Sequence, residues 1–348
     1  MQLRNPLQAI SRVLFLGAPI DAQLIVTRRC NLSCGYCSEY DNSSEPVPLE
    51  DLQRRIDALH RLHAANITLL GGEPLMNPDI VDIVSYAARR SNVSIVTNGF
   101  LIRNGMIESL NRAGLNNLTV SIDALHADPR RYIQKSLRSL RSRLERLMRL
   151  ARFDVHVTAV LCEGSSGHFK EFVDEINALG LRMSLNILHD RRGRVGIRGQ
   201  PYLDLYDHFY RHGKPFTYLD HQYNRKLLEG QTPAWKCQAG SRYLYVDEFG
   251  NVQLCASQTG RLGKPVQEYT VQDMREQSQT YKGCEEGCSV GCAFRCSLLD
   301  NDKPAFVKAV LNGYWKGTMG NNGRRPRQPA PAPGHEALGG VGAADDAY

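Results

Sequence analysis

From residue 22 to residue 188 the chain alternates short apolar or β-branched runs with longer amphipathic ones, and this alternation restricts it to a parallel α/β architecture. The runs Leu24–Thr27, Ile67–Leu70, Val93–Thr97, Leu118–Ile122, Val155–Leu161 and Arg182–Leu188 predict six strands. Helices are expected over Pro48–His63, with Leu52, Ile56 and Leu59 on one face, over Pro78–Arg90 and over Ile102–Ala113. An arginine-rich helix follows from near Pro129 to Arg152, with Leu137, Leu140, Leu144, Leu147 and Ala151 on one face, and another over His168–Leu179. Strands joined by crossovers of this length pair in parallel with right-handed connections. Six units are fewer than a closed eight-unit barrel takes, so the expected fold is α/β, an open partial (β/α)6 TIM-like barrel over residues 22–190. Ligands of such sheets gather at the carboxyl ends of the strands, which directs the search for chemistry there.

The rest of the chain divides by composition. Residues 1–21 form an N-terminal extension. Residues 191–235 predict a connector with two short helices, Tyr202–Arg211 and His221–Leu228, and residues 236–316 form a cysteine-rich second module. From Gly317 to Tyr348 the chain turns to Gly, Pro, Ala and Arg with almost nothing apolar to bury, which predicts a disordered tail.

Immediately after the first predicted strand come Cys30, Cys34 and Cys37, spaced C-x3-C-x2-C. Three thiols on one short loop cannot all pair as disulfides, but they can ligate three irons of a [4Fe–4S] cluster. With no fourth local cysteine, one iron is left open, and an open iron is a place for chemistry rather than for simple electron transfer. Zinc prefers paired C-x2-C units or Cys/His mixtures.

This spacing, with Tyr36 before the last cysteine, resembles the signature of the radical SAM superfamily. In that family the open iron is chelated by the amino and carboxylate groups of S-adenosylmethionine (SAM). The following strand ends carry the rest of the resemblance in order. Gly71-Gly72-Glu73-Pro74 follows the second strand, Thr97-Asn98-Gly99 the third, and Ser121-Ile122-Asp123-Ala124 the fourth. The resemblance implies that Gly71, Gly72, Glu73 and Pro74 bind the SAM amino group. It also implies that Thr97, Asn98, Ser121 and Asp123 contact the methionine moiety and the ribose. Glycines at a strand end let backbone approach a ligand closely, and Ser121 and Asp123 offer partners to ribose hydroxyls. The implied reaction is reductive cleavage of SAM to a 5′-deoxyadenosyl radical that abstracts hydrogen from a substrate.

In the second module Cys237 and Cys255 frame C-x12-G-x4-C, with Tyr243–Asp247 and Val252–Leu254 predicted to form a hairpin that brings them together. Cys284, Cys288, Cys292 and Cys296 follow at uniform spacing, and Gly287 and Gly291 among them argue for a loop. The C-x12-G-x4-C stretch resembles the opening of the auxiliary-cluster modules called SPASM and twitch. Two full cubanes need eight cysteines. Either one cluster takes Cys237, Cys255 and two of the quartet, or two clusters each lack one cysteine. If the SPASM assignment carries over, Cys237, Cys255 and Cys296 share one cluster, and Cys284, Cys288 and Cys292 the other. Cys162, at the end of the fifth strand, reads as a buried thiol.

Hydrophobic residues at 42% and charged residues at 23% are those of an ordinary globular protein, and no apolar run is long enough to span a membrane. The apolar patch Val13–Leu16 adjoins Arg12 and lacks the layout of a signal peptide. Ten cysteines without a secretion signal point to metal binding in a reducing compartment, the cytoplasm. The net charge of +7 sits largely in the arginine-rich helix and the tail, where a solvated helix face accounts for it, so nucleic acid is not expected as a partner.

The expected partners are a reductant such as flavodoxin or ferredoxin and a peptide or small natural-product or sugar-like substrate. Only about twenty residues precede the first strand, too few for a leader-binding domain of the kind peptide maturases carry. The cysteine at Cys255 is followed by Ala256, where sulfatase maturases carry an aspartate. Asp190, Asp247 and Glu248 stand as candidate bases. The alternative of a different class is a non-catalytic iron–sulfur carrier or scaffold.

Overall fold

The computed structural model describes residues 11–319 apart from 15, 38, 129–134 and 166. Its centre is one sheet of nine strands in the order β6-β5-β4-β3-β2-β1-β7-β8-β9. The strands β1 (Asp21–Thr27), β2 (Asn66–Gly71), β3 (Asn92–Thr97), β4 (Asn117–Ser121), β5 (Asp154–Leu161) and β6 (Arg182–Ile187) pair in parallel. Helices α1 (Leu49–Arg61), α2 (Ile80–Ala87), α3 (Asn104–Ala113), α4 (Leu137–Leu150) and α5 (Phe169–Ala178) fall between successive strands. The sheet is open, as six units predict.

Side-chain alternation explains how the sheet is covered. On β1, Ala22, Leu24 and Val26 are fully buried in the core with Ile67 and Leu69 of β2, Leu52, Ile56 and Leu59 of α1, and Ile83 of α2. Toward the amino ends of the strands the alternate residues are polar and bond among themselves: Asn66 and Thr68 both donate to Asp21, and Ser94 donates to Asn66. Burying about 1.5–3 kcal/mol of apolar side chain at each outer position holds the helices on that face and leaves the other face free for function.

Two helix boundaries differ from expectation. The arginine-rich helix begins at Leu137, because Ser136, in extended conformation, caps it by accepting the Ser139 N–H (3.2 Å). Its stripe Leu137, Leu140, Leu144 and Leu147 is buried as the spacing requires. The last helix, α10 (Lys303–Met319), runs two residues past Gly317; the remainder of the tail, 320–348, lies outside the described residues, as do 1–10.

The connector holds α6 (Gln200–His212) and α7 (His221–Leu228). The hairpin of β7 (Tyr243–Val246) and β8 (Asn251–Gln253) does not stand apart. β7 pairs in parallel with β1 over Asp21↔Tyr243 to Leu24↔Val246, and the two-residue β9 (Lys264–Pro265) completes the edge. After α8 (Val271–Gln279), Cys284 and Cys288 lie in a loop, but Cys292 and Cys296 lie on α9 (Gly291–Asn301), because Gly291 starts a helix instead of breaking one.

Candidate active site

The Cys30–Cys37 loop leaves the carboxyl end of β1 through a bulge. Ile25 pairs with Leu70 and Thr27 with Gly71, so Val26 is the extra residue that turns the chain toward the top of the sheet. The Val26 carbonyl accepts instead from Asn77 Nδ2 (2.9 Å) and Val47 N (3.1 Å). On the loop Cys34 is buried, Cys30 half-buried and Cys37 exposed, and all three are free thiols. The Cys37 N–H donates to the Cys34 carbonyl at 3.0 Å. Backbone N–H groups reach two of the sulfurs, Leu32 to Cys30 (3.4 Å) and Glu39 to Cys37 (3.5 Å), and Asn98 Nδ2 lies 3.8 Å from Cys30. Donors aimed at sulfur are what a thiolate ligating iron uses. Burial raises the Cys30 and Cys34 thiols, and neighbouring thiols raise them further, so the loop favours a cation that neutralises them together.

The two glycines serve this loop directly. A Cβ on Gly71, whose φ is 147°, would lie 1.9 Å from the Thr27 carbonyl oxygen, and one on Gly72 would lie 2.3 Å from that of Arg29 and 2.4 Å from that of Arg28. Gly72 N–H donates to Thr27 O (2.9 Å) and Glu73 N–H to Arg29 O (2.7 Å). The close approach expected of a ligand is here made by the lead-in to the cysteine loop.

Glu73 is fully buried, and its carboxylate accepts from Thr97 Oγ1 (2.7 Å), Asn98 N (2.7 Å) and Leu75 N (3.1 Å). Burial raises its pKa against those bonds. It therefore ties the ends of β2 and β3 together, and Pro74 opens the short 3₁₀ turn behind it. Asn98 reaches on to Asn31 of the cysteine loop at 2.7 Å.

At the end of β4, Asp123 accepts from the Tyr36 hydroxyl and pairs with Lys135 Nζ at 3.2 Å. The Lys135 charge lies 5.1 Å from the Tyr36 ring centroid. Burial and then the Asp123 charge push the Tyr36 phenol upward, so it stays a donor. Ser121, level with Thr158 of β5, is half-buried on the same rim.

Lys135 had no signal in the sequence, lying inside the stretch read as helix. A second unforeseen group joins the loop to β7. Arg28 bonds Glu39 (2.7 Å) and Glu248 (2.7 Å), and Tyr245 donates to Glu39 (2.7 Å). That commits Glu248 to an ion pair. Asp247 caps its own turn by accepting from Phe249 N and Asn251 N, and Asp190 does the same for Arg192 N and Arg194 N. Of the three candidate bases, Glu248 alone reaches the lead-in to the cysteine loop, through Arg28.

In the second module, Cys237, Cys255, Cys284 and Cys288 line one small cavity together with Lys282 and Glu285. Ala239 N–H points at Cys237 Sγ (3.4 Å) and Arg261 Nη1 at Cys284 Sγ (3.7 Å). Burial and then neighbouring thiols push Cys237 up to about 12 and Cys288 to about 11. Among the described residues no three His, Cys, Asp or Glu side chains converge on a single-ion site. Four thiols spread around a cavity, with Lys282, Arg192 and Arg261 to offset negative charge, fit a cluster better than one ion.

Cys292 and Cys296 are not part of that ring. Cys292 bonds Tyr243 and lies near enough to Cys255 and Cys288 for their charges to interact, and Cys296 lies near Asp21. Cys162 is half-buried, 3.6 Å from Ser165 Oγ.

The profile of the radical SAM superfamily matches residues 24–205, more than half of the chain, and the chain belongs to that superfamily of enzymes. A probable GTP 3′,8-cyclase of Archaeoglobus fulgidus is 26% identical over 174 residues, covering 48% of this chain and 58% of that one. The chain spans about half the length of the curated relatives it matches. Streptococcus suis SuiB bound to precursor peptide SuiA superposes with a TM-score of 0.60 at 15% identity, over 83% of this chain and 75% of that one. The anSMEcpe structure with bound AdoMet and Kp18Cys peptide gives 0.55 at 14%, over 87% and 99%. These two likenesses establish the fold. Among the described residues no helix is long and apolar enough to cross a membrane.

Proposed function

We propose that this chain is a radical SAM enzyme whose Cys30, Cys34 and Cys37 hold a [4Fe–4S] cluster open to SAM, and whose Cys237, Cys255, Cys284 and Cys288 hold one auxiliary cluster. The observation that carries the reading is the clamping of the three-cysteine loop, by Gly71–Glu73 and Asn98, over the carboxyl end of the sheet. When bound, the cluster and SAM supply a 5′-deoxyadenosyl radical that takes a hydrogen from the substrate.

The chain's own residues orient and shield. Tyr36, Asp123 and Lys135 form a polar wall on the β4 side of the loop, and Ser121 stands at its rim. Gly71–Pro74, Thr97 and Asn98 shape the β2–β3 side, with Asn98 bridging to the cysteine loop. The substrate is a peptide or a small natural-product or sugar-like molecule, electrons come from a reductant such as flavodoxin or ferredoxin, and the compartment is the reducing cytoplasm. The shared fold with peptide-bound SuiB supports the first substrate type and the GTP-cyclase relatives a small molecule.

The test is anaerobic reconstitution, dithionite reduction and assay of 5′-deoxyadenosine with an iron count, beside the Cys30→Ala/Cys34→Ala/Cys37→Ala triple variant. Deoxyadenosine from the wild type alone, with about four irons left in the variant, is the expected result. A fully loaded wild type that makes none, with any substrate class tried, refutes the reading and leaves an iron–sulfur carrier.

A further inference from the structure

The four thiols around the cavity of the second module are not equally sheltered. Cys237, Cys255 and Cys288 are buried, whereas Cys284 is half-buried, three residues after the exposed Tyr281. Of the four, Cys284 is the edge nearest solvent.

Three stretches bring positive charge to that edge. The turn Asp190–Arg194 is closed by the Gly193 N–H donating to Asp190 O (2.9 Å) and is held on the cysteine loop by the Ser289 N–H donating to Gly193 O (2.8 Å). Arg191 and Arg192 stand exposed at its tip, and Arg192 also lines the cavity. Lys236 precedes Cys237 and holds its ammonium 5.1 Å from the centroid of the Tyr281 ring, a residue 71% exposed. Arg261 reaches Cys284 Sγ (3.7 Å), Gln258 Oε1 (2.9 Å) and the Lys282 carbonyl (2.5 Å).

The acids of the same stretches cancel only part of this charge. Asp190 is turned onto the Arg192 and Arg194 N–H groups of its own turn. Glu285 is buried and accepts from the Lys282 and Cys284 N–H groups. Glu286 is exposed and accepts from Thr232 Oγ1 (3.3 Å). Against these three stand Arg191, Arg192, Arg194, Lys236, Arg261 and Lys282. Lys282 lines the cavity and Arg261 touches its sulfur, so both answer the thiolates of a bound cluster; Arg191 and Lys236 are not among the residues lining it. A cationic rim beside an exposed tyrosine, at the edge of a buried redox site, has the make-up of a protein docking surface: the charges steer the encounter and the ring anchors it.

We infer that the rim of Arg191, Arg192, Lys236, Arg261 and Tyr281 docks an acidic one-electron carrier protein. One electron then crosses the Cys284 edge between carrier and auxiliary cluster, one partner oxidised and the other reduced by that electron, with no bond made or broken. The inference rests on the functional reading above, which fills the four-thiol site with an iron–sulfur cluster and supplies electrons from a flavodoxin or ferredoxin.

Flavodoxin is the probe. Reconstituted holoenzyme is mixed with it by stopped flow in both directions, reduced enzyme with oxidised flavodoxin and oxidised enzyme with the hydroquinone, so that the potentials favour one of the two. The auxiliary phase is the one that persists in the Cys30→Ala/Cys34→Ala/Cys37→Ala variant. At low ionic strength its second-order rate is expected to fall about tenfold in Arg191→Glu/Lys236→Glu, and the wild-type rate is expected to fall as salt is added. Tyr281→Ala is expected to slow it at high salt as well, where steering is screened. Iron content is expected to match wild type in both variants. Reduced methyl viologen, a small cation, separates docking from damage: charge reversal leaves its rate equal or higher, whereas an injured cluster slows with both reagents.

A flavodoxin rate unchanged by charge reversal or by salt overturns the inference, as does parallel slowing with methyl viologen, or transfer in neither direction. Binding of a uridine oligonucleotide that the double variant loses, with the flavodoxin rate kept, assigns the rim to nucleic acid and overturns it too. A triple variant that holds no iron refutes the functional reading and this inference with it; iron present with unchanged flavodoxin rates refutes this inference alone.

Discussion

The geometry makes Gly72→Ala a decisive substitution. The new methyl would stand 2.3 Å from Arg29 O and 2.4 Å from Arg28 O, both backbone atoms. Carbon and oxygen rest at about 3.3–3.6 Å, so the 28–29 segment must retreat by about 1 Å. That retreat strains the Glu73 N–H to Arg29 O bond (2.7 Å) and the Gly72 N–H to Thr27 O bond (2.9 Å). Each is worth about 1 kcal/mol, and overpacking adds about 1–3 kcal/mol, giving a destabilisation of about 3–5 kcal/mol centred on the residue before Cys30. The assay is iron per chain after reconstitution, with thermal unfolding of the apoprotein beside it. About four irons should be lost from the Cys30 site while the auxiliary site stays filled. A variant with full iron, an unchanged melting temperature and weakened SAM binding alone would refute the argument. Gly72 would then serve a ligand's approach rather than the loop's.

Further outcomes follow from the other clusters. Cys284→Ser and Cys288→Ser should each deplete the auxiliary iron signal by Mössbauer spectroscopy, whereas Cys292→Ala should leave iron content unchanged; iron loss on Cys292→Ala would return that residue to the ligand set. Arg28→Gln leaves Glu39 and Glu248 facing each other without their shared cation, and should cost about 2–3 kcal/mol in urea unfolding. Arg28→Lys should recover part of that loss, since one ammonium cannot span both carboxylates as a fork does. His156, with its pKa held well below 6.5, binds fewer protons folded than unfolded. Its share of stability is therefore full above pH 6.5 and lost as pH falls below it, by at most about 1.4 kcal/mol per pH unit. Melting curves of His156→Gln against wild type from pH 7.5 to 5 should show that slope removed.

The six-strand frame was legible because outer-face residues such as Leu24, Leu69 and Val157 alternate with polar inner ones, a period of two that helices cannot imitate. The order of the strand-end motifs was legible for the same reason, since each follows a strand whose end the pattern marks. What each motif does locally was not. Nothing in Gly-Gly-Glu-Pro says that the glycines make room for carbonyls forty residues earlier, because that contact depends on the bulge at Val26. The Arg28–Glu39–Tyr245–Glu248 group joins residues more than two hundred apart and leaves no periodic trace. The cysteine quartet was read as one loop because Gly287 and Gly291 look like breakers. In the fold Gly291 opens α9 where a Cβ would stand 3.0 Å from Arg295 Nη1 and 3.3 Å from Asp220 Oδ2, so the quartet is split between a loop and a helix.

That split follows from how the second module is attached. Because β7 pairs with β1 in register, the hairpin that leads to Cys255 is built onto the strand that precedes Cys30; Cys237 comes before β7 and Cys255 after β8 on the same sheet. A hinge between modules would let their separation vary. Backbone pairing over Asp21–Leu24, locked by Arg28 between Glu39 and Glu248, holds it constant. Two cysteine sites kept at a constant separation on one sheet need no domain movement to hold their distance.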